Sequence, residues 1–131
     1  MIQLNSLLNI VDITGIKLVL CIKILGPSYK KFAKIGDIIV VSIKKRDKNV
    51  KFLKKLHVNK RYLKGSIHRV LVVRTRFRFL RSKAIFVTFG ENAGVIVNKK
   101  KSPVSNRIKG PILFELAERN PSIGLLSQYI L

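Results

Sequence analysis

Arg74, Arg76 and Arg78 alternate with Thr75, Phe77 and Phe79 inside the run at residues 69–89, RVLVVRTRFRFLRSKAIFVTF. In an extended chain successive side chains point to opposite faces, so the three arginines share one face, roughly 6.6 Å apart along the strand. Guanidiniums at that spacing suit a line of phosphates, because each offers a fork of donors to anionic oxygens. A second group mixes rings with cations. In SYKKFAKI, residues 28–35, Tyr29 and Phe32 flank Lys30 and Lys31. Rings of this kind stack on unpaired bases while the ammonium groups take phosphates.

Other chemistry is poorly provided for. The carboxylates are Asp12, Asp37, Asp47, Glu91, Glu115 and Glu118. Only Glu115 and Glu118 stand close, at i and i+3, and they read as a solvated helix face. Asp12 and Asp37 sit at turns, where a carboxylate bonds nearby backbone. His57 and His68 have no cysteine or carboxylate at ligand spacing, so no metal site is read. The lone Cys21 lies in an apolar run and reads as a buried small hydrophobe. There is no glycine-rich phosphate loop and no nucleophile elbow. No catalytic residue and no cofactor are expected, which leaves the cationic surface to carry function.

The charge balance agrees. Lys plus Arg number 27 against 6 Asp plus Glu, a net charge of +21. Such a chain repels itself until a polyanion neutralises it. Nucleic acid is the first candidate and an anionic membrane surface the second. With 47% hydrophobic residues the chain can build a core, so it is not a disordered tail. No apolar run approaches the roughly 18 residues of a spanning helix, so no membrane insertion is expected. The start, MIQLNSLLNIVDITG, lacks the features of a signal or transit peptide. A protein of this kind working in an organelle is expected to be made there. Abundant Ile and Lys, with few Ala and Gly, point to an A+T-rich gene.

The elements that must position these residues are mostly strands. Residues 1–13 read as an apolar lead-in, and residues 12–15 as a turn. Residues 16–25, IKLVLCIKIL, form the clearest strand. Its expected apolar face is Ile16, Leu18, Leu20, Ile22 and Ile24, with Lys17, Val19, Cys21, Lys23 and Leu25 opposite. Residues 38–45, IIVVSIKK, are β-branched and read as a strand. Residues 46–64 read as a short basic helix or an extended arm. Residues 69–89 then give two strands folded at about 80–83, and residues 93–98 give a last strand. Pro111 suits a first helical position, and Ile112, Leu113, Leu116 and Ala117 give a brief helical pattern. Ser122 caps a second short helix whose Leu125, Leu126 and Tyr129 face inward. Short strands joined by turns predict a mostly β protein built on a small barrel, with the helices at its end or in an appended lobe.

Four stretches also resemble a known family: residues 8–39, LVVRT at 71–75, FGENAGVIVN at 89–98 and NRIKGPILFEL at 106–116. Their order and spacing are similar to those of large-ribosomal-subunit protein fourteen, which has bacterial, plastid and mitochondrial members. The resemblance implies a five-stranded β-barrel with a projecting β-ribbon and a carboxyl-terminal lobe of short helices. Residues 1–131 would form one domain: 1–104 the barrel with its ribbon and a basic insertion at about 46–61, and 105–131 the lobe. It further implies binding to large-subunit rRNA and contact with neighbouring large-subunit proteins. Small-subunit rRNA would be met across an intersubunit bridge, and a ribosome-silencing factor would dock around Arg107.

The residues expected to meet RNA are Lys17, Lys23, Tyr29, Lys30, Lys31, Lys44, Arg74, Arg76, Arg78, Arg81, Lys83, Lys99, Lys100, Arg107 and Lys109. A mitochondrial ribosome is the expected location, ahead of a plastid or a bacterium. The other reading of the same charge is a free basic barrel that binds RNA or an anionic membrane. Three departures from the family pattern stand out. Ser82, Lys83 and Ala84 replace the usual Asp-Gly-type ribbon turn and should resist the positive φ it needs. Glu91 replaces a common glycine. Asn106 stands where threonine is usual.

Overall fold

Runs of Ile, Val and Leu pair edge to edge until the sheet closes on itself. The computed structural model describes residues 1–47 and 62–131. Strands β1 (Leu7–Ile10), β2 (Ile16–Ile24), β3 (Ile38–Arg46), β4 (Ile67–Arg74) and β7 (Ala93–Val97) form a closed barrel in the order β1-β2-β3-β4-β7. Neighbours are antiparallel except at the closing pair, where β1 and β7 run parallel. β5 (Phe79–Arg81) and β6 (Ile85–Val87) form a separate two-stranded ribbon. β8 (Ile108–Ile112), two short helices α1 (Phe114–Arg119) and α2 (Pro121–Leu126), and β9 (Ser127–Ile130) form the carboxyl-terminal lobe. The basic insertion expected at about 46–61 lies outside the described residues beyond Arg46 and Asp47.

Two apolar clusters hold this together. One fills the barrel with Leu8, Val19, Cys21, Ile39, Val41, Ile43, Val70, Val72 and Ile96. The other joins the outer wall to the lobe through Leu71, Val73, Val95, Ile108, Ile112, Leu113, Leu116 and Ile123. β4 and β7 serve both clusters, which is why VLVV and AGVIV are apolar without alternation. A Cβ on Gly94 would collide with a Val70 methyl and come within 3.1 Å of the Leu71 carbonyl oxygen, so only glycine fits there.

Several sequence expectations need correction. The lead-in contains a barrel strand, β1, too short and too mixed to stand out alone. In β2 the alternation breaks: Ile16, Val19, Cys21 and Ile24 are buried, Leu18 and Leu20 are half-buried and Ile22 is exposed. The register against β3 shifts near Leu18 and again between Cys21 and Lys23. Each bulge reverses which parity faces inward, so the expected face of Ile16, Leu18, Leu20, Ile22 and Ile24 does not exist. Pro111 lies within β8, paired in parallel with Tyr129 of β9, and the first helix starts at Phe114. Pro121, not Ser122, opens the second helix. Leu125 and Tyr129 point outward, at 87% and 63% exposure.

The ribbon also differs from its sequence reading. β4 ends at Arg74 and β5 begins at Phe79, so the arginines at 74, 76 and 78 do not share the face of one strand. At the tip Lys83 and Ala84 both adopt positive φ, 68° and 59°. The turn is therefore made from residues that resist it, held by the pairing of Phe79 with Val87 and Arg81 with Ile85. An L residue in this region costs on the order of 1 kcal/mol. Replacing Ala84 with glycine is expected to relieve that strain and raise the thermal midpoint by a few degrees, measurable by circular dichroism. An unchanged or lower midpoint would mean the turn carries no strain.

Candidate nucleic-acid interface

The barrel sorts the cations by its own topology. β2 and β4 run opposite to β1, β3 and β7, so the start of β2 meets the end of β3 and of β7. Lys17, Lys44, Lys99 and Lys100 therefore ring one end. Lys23, the 28–35 loop, Arg76, Arg78 and the ribbon lie at the other. β2 and β3, nine residues each, set these rims roughly 20 Å apart, at about 3.3 Å per residue on strands tilted to the barrel axis. Arg107 and Lys109 flank Ile108 on β8, which crosses the outer wall between the rims; Ile108 bridges to Asp12, and Gly110 lies against Arg74. The fifteen expected residues thus occupy two rims and a connecting strand, not one face.

Within that set the carboxylates draw a dividing line. Lys17 lies 3.8 Å from Asp47, Lys30 2.7 Å from Asp37, Arg74 3.2 Å from Glu91 and Arg81 2.6 Å from Glu115. Arg74 is the extreme case. It is 7% exposed, and its guanidinium donates to the Lys109 carbonyl at 3.2 Å. Its Nε is buried with no partner, and burial pulls its pKa down against the attraction of Glu91. Gly110, at φ +84°, makes room for it; a Cβ there would collide with the guanidinium. Arg74 is a bolt between β4 and β8, withdrawn from the surface.

Arg81 is the second bolt. It holds Glu115 through two bonds, 2.6 and 3.1 Å, and donates to the Leu131 carbonyl at 2.7 Å. The pair fastens the ribbon to the lobe, and the hydrogen bond from Arg81 lowers the Glu115 pKa. Glu115, expected on a solvated face, is a structural partner. Lys30 is tied into its loop through Asp37, which also accepts from the Lys34 N–H at 2.7 Å. Lys17 is held loosely, its side chain 62% exposed, and remains on the surface.

The remaining expected cations are exposed: Lys23, Lys31, Lys44, Arg76, Arg78, Lys83, Lys99, Lys100, Arg107 and Lys109. Arg76 is shaped by the fold without being neutralised. Its Nε donates to the Gly90 carbonyl at 2.9 Å, and its N–H donates to the Asn92 side chain at 2.9 Å. Arg78 lies over the Phe86 ring, 5.7 Å from its centre. Tyr29 is 82% exposed.

Sequence reasoning passed over Lys34, Arg69 and Phe86, which line clefts at the same rims. Lys34 sits inside the quoted 28–35 run and could have been found there. Arg69 and Phe86 carry no such signal, because strand pairing, in the barrel for Arg69 and in the ribbon for Phe86, decides which way they face. No group of three or more metal-ligating side chains occurs among the described residues. Nor does any described helix have the length and apolarity to cross a membrane.

A family model described as ribosomal protein L14p/L23e matches residues 1–131. The chain belongs to that family. Its role is that of a protein of the large ribosomal subunit, and the L14p/L23e family is structural rather than enzymatic. The L14p/L23e assignment agrees with a closed five-stranded barrel followed by two short helices.

Proposed function

We propose that the protein scaffolds large-subunit rRNA through the cations its own carboxylates leave unpaired. The observation that carries this reading is the division just described. Three carboxylates hold Lys30, Arg74 and Arg81 and a fourth lies 3.8 Å from the exposed Lys17, while ten other expected cations are exposed on two rims and a strand. Unpaired cations fixed on a rigid barrel neutralise phosphates at set positions, which is how a protein positions RNA without reading its sequence.

In this reading the protein lies at the subunit interface and contributes to an intersubunit bridge with small-subunit rRNA. Neighbouring large-subunit proteins take the remaining surface, and a silencing factor docks near Arg107. The ribosome is mitochondrial and the protein organelle-encoded. The basic insertion reaches organelle-specific rRNA or a neighbouring protein. Sedimentation of a lysate through a high-salt gradient tests the core of the proposal. The protein is expected to travel with the large subunit, and a pool that remains at the top of the gradient would contradict it.

A further inference from the structure

Two clefts meet at the rim that carries the 28–35 loop and the ribbon, sharing Met1, Lys34, Ile35 and Phe79. The first, about 380 Å³, opens at the root of the ribbon between Phe77 and Phe86, which are 51% and 55% exposed. The second, about 710 Å³, runs under the 28–35 loop past Tyr29 and Phe32. Exposed rings on a protein this basic serve no core. Phe77 lies between β4 and β5, outside the apolar clusters, and Phe86 faces away from the cluster that takes Phe79 and Val87.

The charge around the rings is of one sign where it is free. Lys34 and Arg78 border the first cleft, and no carboxylate lines it. Asp37 lines the second, but Lys30 and the Lys34 N–H already occupy its oxygens. We infer that these joined clefts form a track for a single-stranded segment of RNA, with one unpaired base on Phe77 and Phe86 and another on Tyr29 and Phe32. Every base has a π-face, so stacking holds it without sequence preference, while Lys31, Lys34 and Arg78 take the phosphates between. A duplex cannot use the track, because its bases are already stacked on each other. The inference rests on the RNA-binding reading above and specifies the form of RNA that this rim takes.

The test compares two probes: a single-stranded RNA of about ten nucleotides carrying 2-aminopurine, and a blunt RNA duplex. The double variant Phe77→Leu, Phe86→Leu keeps apolar bulk at exposed positions, and its melting curve checks that the fold is intact. Its affinity for the single strand is expected to fall about tenfold, with loss of 2-aminopurine quenching, while its duplex affinity stays within about twofold of the parent. Equal losses for both probes, or none for either, would overturn the track. Wild-type protein that binds neither probe at moderate salt would overturn both the track and the RNA-binding reading. A wild type that binds both, with an unaffected double variant, would remove the track alone.

Discussion

Replacing Asp12 with alanine will destabilise the protein by about 2–4 kcal/mol and lower its thermal midpoint by roughly 10 °C. Asp12 is 5% exposed in the turn between β1 and β2. One oxygen accepts from the Thr14 N–H at 3.0 Å and from the Thr14 hydroxyl. The other accepts from the Ile96 N–H at 3.0 Å, across 84 residues of sequence. Alanine strands the Ile96 donor in the middle of β7 and frees the turn that backbone bonds connect to β8. Asparagine keeps one acceptor but presents an amide where the other was, so it should fall between alanine and the parent.

The pH dependence has a definite sign. Burial raises the Asp12 pKa, and the three hydrogen bonds only partly oppose it. A folded-state pKa above the unfolded value gives a stabilising contribution that is full below the unfolded pKa and lost as pH rises through the folded one. The stability of the parent relative to Asp12→Asn should therefore grow on acidification from neutrality. Glu115 works in the opposite direction, since its pKa is lowered, but it is common to both proteins and cancels in the difference. Chemical denaturation at two pH values measures this. A difference that shrinks on acidification would mean that hydrogen bonding, not burial, governs the carboxylate.

The quadruple variant Lys99→Gln, Lys100→Gln, Arg107→Gln, Lys109→Gln will lose several-hundredfold in affinity for a large-subunit rRNA transcript at about 0.15 M salt. Counterion release at a slope of about 0.9 per phosphate makes each contact worth roughly fivefold at that ionic strength, and four such contacts multiply. None of the four has a carboxylate partner, so the fold does not spend them. Removing them reduces self-repulsion, and the thermal midpoint should hold or rise. Filter binding and a melting curve on the same sample read both quantities. A several-fold loss only, or a fall in the midpoint, would place these side chains in the fold and not in the interface.

The sequence pointed to a small barrel because its strand runs are bounded by Gly, Pro and Asp, and these signals are local. The boundaries of β2, β3 and β7 were legible to within a residue for that reason. What could not be read was set by partners distant in the chain. The faces of β2 depend on bulges opposite β3, and nothing inside IKLVLCIKIL marks them. β1 is a strand because β2 and β7 flank it, and its four residues have no pattern of their own. Pro111 fits β8 because the residue after a strand break pairs in parallel with β9, a context that helix-start statistics do not include.

The cationic surface shows the same limit. Lysine and arginine runs named the candidates, but the four carboxylate partners lie between 7 and 34 residues away in the chain, so counting charges could not separate bolts from contacts. Arg74 shows the cost most clearly: first in the expected phosphate row, it is the most buried of the cations named.

The division between structural and RNA-facing cations is the central claim, and the salt dependence of binding tests it most directly. Association with a large-subunit rRNA transcript would be measured across ionic strength for the parent, for the quadruple variant and for Lys30→Gln, Arg81→Gln. The quadruple variant is expected to lose about 3–4 from the slope of log affinity against log salt. The Lys30→Gln, Arg81→Gln variant is expected to keep the slope within about one of the parent while its thermal midpoint falls. A slope reduced as much by the second variant as by the first would contradict the division.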